Sequence, residues 1–338
     1  MIMHTRRRLL GLAAGASLAW PGVTAWARSA APEPFTLAGW SKPITEIVNL
    51  LAEPDKAFFK EEAIEFRYLP GAGGGDALRN LLSGQADIAF TDPGSFFAAL
   101  DKGAALRAVY DIYPQNVFNV VTLKNSGITR PSELKGKRIG VYSLSSGTLQ
   151  NLQILLQQVG LTRDDVKIIV TGLLNFAPLM QGQVDATAAT DTGLALARRR
   201  GLGDATVFQV ADYLNYSSDL LVVREDFYQE HTARLRRFLR AFRHSVEWML
   251  NEPEEAASLA VRRAIDGQNP ELNLEIIRLR NRASVSAFTK EHGLGAVDVR
   301  SLQAAADAYL KLGLISRALD LQKHVATDLL TAPGRTGD

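Results

Sequence analysis

Residues 135–160 read KGKRIGVYSLSSGTLQNLQILLQQVG. This stretch predicts one unit: a short strand at 137–142, a Ser/Gly turn, and an amphipathic helix at 148–159. In the turn, Ser145, Ser146, Gly147 and Thr148 bring hydroxyls and backbone N–H groups to a helix N-terminus. The partial positive charge there favours a polar or anionic ligand. Simple capping by Ser146 or Thr148 would account for the same residue types. Repetition of the arrangement along the chain is what favours a ligand.

Upstream of this unit, short apolar strands at 35–39, 64–69, 86–90 and 106–112 alternate with helices at 44–63 (broken near Pro54), 76–83 and 94–101. After a strand at 118–123 the order recurs: the opening unit, a strand at 166–170, a helix at 175–181, a strand at 184–189, a helix at 193–200 and a strand at 206–210. Such alternation predicts parallel-rich sheets covered by helices on both faces.

The recurrence extends to particular residues. Gly84-Gln85-Ala86-Asp87 is matched by Gly182-Gln183-Val184-Asp185, and Thr91-Asp92-Pro93-Gly94 by Thr190-Asp191-Thr192-Gly193, at offsets of 98 and 99. Gly39-Trp40-Ser41 sits likewise against Gly140-Val141-Tyr142-Ser143. The chain is therefore expected to form two similar α/β lobes, 34–117 with 222–338 and 118–221, joined by hinge strands at 115–122 and 217–223.

In an open parallel sheet the ligand crevice lies beyond the carboxyl ends of the strands. Three loop pairs qualify: 40–45 with 142–148, 70–75 with 171–175, and 91–94 with 190–193. Two lobes presenting such loops to each other make a clamp that closes by domain motion.

Composition excludes several function classes. Residues 1–27 carry a basic start (Arg6, Arg7, Arg8), an apolar run too short to span a bilayer, and Ala25-Trp26-Ala27 as a cleavage site, the pattern of an export signal removed near Ala27. Thr5-Arg6-Arg7-Arg8-Leu9-Leu10 also resembles a twin-arginine signal. The mature chain is thus expected in the periplasm, without a membrane anchor and as a monomer. Three of the 38 basic residues and none of the 36 acidic ones lie in 1–27, so the remainder has a net charge of −1, which does not describe a nucleic-acid binder. With no cysteine, the core alone must provide stability.

Other chemistry has thin support. The Gly71–Gly75 run lacks both the last glycine of a dinucleotide loop, where Asp76 stands, and the lysine of a P-loop; its glycines read as permitting close backbone approach. The five histidines (4, 231, 244, 292, 324) show no metal-ligand spacing, and there is no G-x-S-x-G elbow. No cofactor and no metal are expected. The arginines at 234, 236, 237, 240 and 243 read as a solvated helix face, with permease docking as the alternative.

Phe58-Phe59-Lys60-Glu61-Glu62, the 71–78 loop, Ser83-Gly84-Gln85-Ala86-Asp87, Thr91-Asp92-Pro93, the 134–141 run and Ser146-Gly147-Thr148 together resemble substrate-binding proteins of ABC importers in the thiamine-pyrimidine, sulfonate and nitrate group. The similarity continues through Arg237–Ala241, Asn251–Ala257, Gly293-Leu294-Gly295 and 310–315. The resemblance implies a two-lobed type II periplasmic binding protein fold, with the C-terminal helices returning to the first lobe. It also implies a non-enzymatic role, delivering a small molecule to a permease with a separate cytoplasmic ATPase. Fungal thiamine-pyrimidine synthases resemble the same group, but they use a cysteine-rich segment and pyridoxal phosphate, and this chain has no cysteine. A ligand sensor is a third class.

The expected ligand-binding residues are Trp40, Asp92, Tyr142, Ser145, Ser146, Gly147, Thr148, Asp191 and Tyr216. Flat aromatic faces suit a planar ring and carboxylates accept hydrogen bonds from ring amino groups, which favours a thiamine pyrimidine precursor. The helix start at 145–148 would equally hold a sulfonate or carboxylate, so alkanesulfonate, taurine, nitrate or an aromatic acid is the alternative. Trp40-Ser41-Lys42-Pro43 has the tryptophan and proline of the pyrimidine binders but not their following asparagine, and Lys42 is an alternative contact for an anion. Phe176 is expected to pack in the core.

Overall fold

The computed structural model describes residues 31–172 and 176–330. The expected export signal at 1–27 lies outside the described residues, as do the end of the 171–175 loop and the first residue of the 175–181 helix.

The described residues form ten strands: β1 (Glu33–Ala38), β2 (Ile64–Leu69), β3 (Ile88–Thr91), β4 (Leu106–Tyr113), β5 (Phe118–Leu123), β6 (Arg138–Val141), β7 (Lys167–Val170), β8 (Ala186–Thr190), β9 (Ala205–Gln209) and β10 (Asp219–Arg224). They form two five-stranded sheets, ordered β2-β1-β3-β10-β4 and β7-β6-β8-β5-β9. The two orders are equivalent. In each sheet one strand, β10 or β5, runs against the other four, and it is the strand by which the chain enters from the opposite sheet. Both sheets are parallel on the side away from it. The fold is thus α/β and two-lobed, as the sequence repeat predicts.

Local sequence explains the elements. Leu220 to Val223 of β10 are all buried, because helices cover both faces of the first sheet, and the strand reads as an unbroken apolar run. Pro54 breaks the helical stretch after β1 into short pieces and sits in the first turn of the helix Glu53–Lys56, where its missing N–H is harmless. The crossings between sheets are residues 114–117 and 210–218. The return to the first sheet begins at Asp219, ahead of the boundary expected at 222.

The larger core lies under the first sheet and the C-terminal helices. Phe35 stacks on Phe238 and Phe59 on Phe66, each with ring centroids 4.2 Å apart. The helix Thr232–Asn251 supplies Phe238 and Phe242, and Val299–Lys311 supplies Tyr309, so the C-terminal third packs on the first lobe. The second sheet has a separate core on each face, one with Val120, Ile139 and Leu152, the other with Val121, Ala189 and Leu194. Phe176 belongs to the latter, as expected for a packing residue.

The arginine-rich helix face pairs within the chain: Arg234 and Arg237 with Glu33, Arg236 with Asp328, Arg240 with Glu62 and Arg243 with Glu247. No helix among the described residues is long and apolar enough to cross a membrane.

Candidate functional site

A cavity of about 320 Å³ lies where the two sheets present the carboxyl ends of their strands to each other. All six predicted loops reach its wall. Trp40 and Ile44 follow β1, Gly73 and Gly74 follow β2, and Asp92 follows β3; from the second lobe come Tyr142 and 146–148 after β6, Gly172 after β7, and Thr190, Thr192 and Gly193 after β8.

Of the predicted residues, Trp40, Asp92, Tyr142, Ser146, Gly147 and Thr148 line the cavity, whereas Ser145, Asp191 and Tyr216 do not. Tyr216 is buried against Tyr309, their hydroxyls 2.8 Å apart. Ser145 closes the cleft instead: its hydroxyl donates to Ala72 O at 3.1 Å, and its carbonyl accepts from Gly75 N at 2.9 Å. Gly73 makes that approach workable. It has φ +123°, and a Cβ there would lie 2.4 Å from Ser145 O.

The helix Gly147–Gln158 starts at the cavity without a side-chain cap. The Ser146 hydroxyl donates to Ser143 O at 2.7 Å, and Thr148 Oγ1 accepts from Tyr142 N at 3.0 Å. These hydroxyls therefore fix the turn rather than cap the helix. Gly147 is required by contact, since a Cβ would stand 2.6 Å from Phe118 Cζ. Asp92 is the N-cap of the helix Pro93–Asp101, accepting from Ser95 N and Ser95 Oγ at 2.8 Å each. Burial pushes its pKa up against those hydrogen bonds.

Three residues outside the sequence expectation dominate the polar wall: Glu46, Asp219 and Arg280. Arg280, 1% exposed, donates through Nε to Glu46 at 2.8 Å and through Nη2 to Asp191 and to Thr192 Oγ1. Thr192 in turn donates to Glu46 at 2.6 Å. Burial works against the Arg280 charge, but the carboxylates of Asp191 and Glu46 outweigh it and hold the pKa above the usual arginine value.

Arg280 Nη1 is buried without a partner among the described residues, and so is Trp40 Nε1. Asp219 supplies the opposite polarity. Burial first and the Asp92 charge second raise its pKa well above normal, and no donor among the described residues reaches it. Trp40 and Tyr142 meet edge-to-face across the lobes, centroids 6.2 Å apart, and Phe118, Val117, Ile276 and Leu196 complete an apolar lining. A mostly apolar pocket with a few aimed polar groups is the usual form of a small-molecule site.

No lysine, histidine or cysteine lines this wall among the described residues. Nor does any group of three or more His, Cys, Asp or Glu among them stand ready for a metal ion.

Comparison with known proteins agrees with this architecture. The chain is 24% identical over 214 residues to a 4-amino-5-hydroxymethyl-2-methylpyrimidine phosphate synthase of Aspergillus parasiticus; the match covers 60% of this chain and 62% of the synthase, so it spans under two thirds of that relative. It is 23% identical over 249 residues to the riboflavin-binding protein RibY of Chloroflexus aurantiacus, covering 72% of this chain and 70% of that one. Among solved structures, the alkanesulfonate-binding protein SsuA of Xanthomonas axonopodis pv. citri, bound to MOPS, superposes with a TM-score of 0.70 at 16% identity, over 88% of this chain and 99% of that one. The fold is therefore that of periplasmic binding proteins. The NMT1/THI5-like family model matches residues 44–256, well over half the chain, and the chain belongs to the NMT1/THI5-like family.

Proposed function

We propose that the chain is the periplasmic solute-binding component of an ABC importer, closing its two lobes on a small heteroaromatic molecule that carries an amino-bearing edge. It would then hand that molecule to a permease served by a cytoplasmic ATPase. The observation that carries the reading is the pairing, in one aromatic-walled cavity, of two donors without acceptors among the described residues (Trp40 Nε1 and Arg280 Nη1) with a carboxylate that no donor among them reaches (Asp219). An aminopyrimidine offers ring nitrogens to the donors and an exocyclic amine to Asp219, while its plane lies against the aromatic side chains. A thiamine pyrimidine precursor has this chemistry. The names of the Aspergillus synthase and of RibY, both concerned with heteroaromatic compounds, lend support.

The uncapped start of the helix Gly147–Gln158 favours a second reading, a sulfonate or other anion. Charge weighs against it, because among the described residues Glu46, Asp92, Asp219 and Asp266 stand on the wall against Arg200 and Arg280, and Arg280 already serves two carboxylates. A synthase reading would need a reactive side chain in the cavity, and among the described residues the wall has no lysine for a Schiff base with pyridoxal phosphate.

The lobes, 34–117 with 222–338 and 118–221, would rotate about the two crossings. Ligand capture involves Trp40, Asp92, Tyr142 and the 146–148 helix start, with Ser145 and Asp191 holding the closed lobes together. The export pattern at 1–27 supports a periplasmic location.

Thermal-shift measurements with 4-amino-5-hydroxymethyl-2-methylpyrimidine, thiamine, riboflavin, taurine, alkanesulfonates, nitrate and aromatic carboxylates test this, since a ligand of the folded form raises Tm by mass action. A saturable shift with the pyrimidine is expected. A shift with taurine or an alkanesulfonate alone would overturn the heteroaromatic reading.

A further inference from the structure

We propose a second small-molecule site in this protein, with Asn119 as its floor, for a compact carboxylate bearing an adjacent amino or hydroxyl group. The proposal is independent of what fills the main cavity, because no residue lines both.

Asn119 lies on β5 between Ala189 of β8 and Gln209 of β9. It belongs to the sheet face that otherwise buries Val121, Ala189 and Leu194. Apolar residues fill such a face, and a buried carboxamide there is unfavourable unless something bonds to it. Asn119 is 1% exposed, and both its Nδ2 and its Oδ1 are buried without a partner among the described residues. The side chain sits on the wall of a cavity of about 250 Å³ that also takes Asp191, Arg198, Gln209, Glu275 and Arg282.

The charges of this cavity are only partly matched. Glu275 is paired with Arg199 at 2.9 Å, and Asp191 Oδ1 is engaged by Arg280 and by Thr192 N. Arg198 and Arg282 have no acidic partner among the described residues. Two unpaired guanidiniums at the rim, with an amide donor on the floor, call for a carboxylate. The floor's amide oxygen and the unengaged Asp191 Oδ2 call for a donor beside it. An α-hydroxy or α-amino acid has both within a few bonds.

The occupant would also touch both lobes. Arg198 lies in the last turn of the helix Asp191–Arg199, while Glu275 and Arg282 belong to Pro270–Ala283. Binding here would therefore steady the closed arrangement from behind the Asp191–Arg280 ion pair.

Isothermal titration of the mature protein with glycolate, L-lactate and glycine, with acetate as the probe lacking the donor, tests the site. Saturable binding of at least one of the three, tighter than acetate, is expected. Arg282→Gln should raise its dissociation constant at least about tenfold, Asn119→Leu should abolish binding, and Trp40→Ala should alter it far less than either. Because Asn119→Leu alters a packed strand, its Tm is measured alongside, and Arg282→Gln, at an exposed position, provides the reading should that variant fail to fold. Absence of saturable binding in the wild type overturns the proposal. So does binding that survives Arg282→Gln but is lost in Trp40→Ala, which would place the probe in the main cavity.

Discussion

Thr192 donates its hydroxyl to Glu46 at 2.6 Å, tying the first turn of the helix Asp191–Arg199 in one lobe to the turn Thr45–Ile47 in the other. Arg280 bonds to both and to Asp191, so one buried guanidinium organises the whole contact. Replacing it strands Glu46, and Asp191 in part, as uncompensated carboxylates.

Arg280→Ala should therefore destabilise the protein by about 3–5 kcal/mol, the range for breaking a buried ion pair by removing one partner. Asp191→Asn should cost much less, near 1 kcal/mol, because Asp191 is 29% exposed and water can replace its partner. Urea unfolding of the two variants measures the difference, and equal losses would contradict the central place of Arg280.

A second buried carboxyl imposes a pH dependence. Asp111 on β4 accepts a hydrogen bond from Ser217 in the crossing to β10, and its Oδ1 has no partner among the described residues. Burial pushes its pKa from 3.8 up to about 7, against the Ser217 hydrogen bond. The folded protein thus keeps a proton that the unfolded chain releases, and stability falls as pH rises through the window between those two values. Asp111→Asn should flatten this decline, which amounts to at most about 4 kcal/mol. Unfolding free energies at both ends of the window, compared between wild type and variant, isolate this residue from carboxylates such as Glu133 that act in the opposite direction.

Gly147→Ala should destabilise by about 1–3 kcal/mol, since the new methyl would stand 2.6 Å from the Phe118 ring of the same lobe, or force the lobes apart, since it would also stand 3.2 Å from Asp92 Cβ of the other. Small-angle scattering distinguishes the two outcomes: an unchanged radius of gyration with lower Tm indicates strain within a closed cleft, and a larger radius indicates opening.

The fold was legible because it is written twice. The Gly-Gln-x-Asp and Thr-Asp turns recur in the same order, and apolar strands such as β10 need no partner information to be recognised. The cavity loops followed from the topology rule. Arg280 did not, because its partners Asp191 and Glu46 lie 89 and 234 residues away in sequence. A signal was nonetheless present: within Pro270–Ala283 it shares the buried face with Ile276, Ile277 and Ala283, where a charge requires a partner. Tyr216 was expected at the site as a flat face for a planar ring, yet its hydroxyl is satisfied by Tyr309, a contact made only when the C-terminal helices pack back on the first lobe.

The sign of one substitution separates the two ligand classes. Asp219→Asn keeps the shape of the wall while removing a charge that burial already disfavours, so the unliganded protein should become more stable at neutral pH. An amino-bearing heteroaromatic loses a charge-assisted acceptor and should bind about tenfold more weakly or worse. A sulfonate is freed from repulsion in a poorly solvated cavity and should bind more tightly. Trp40→Phe adds a second axis: it keeps a ring but deletes the orphan Nε1, costing about 0.5–1.5 kcal/mol for a ligand that accepts there. Trp40→Ala, which also removes the aromatic face, should cost more. Titration calorimetry on these three variants with the ligand found for the wild type reads all of this directly. Tighter binding in Asp219→Asn, or equal binding in Trp40→Phe and Trp40→Ala, would mean that an anion held by the 146–148 helix start is the true occupant.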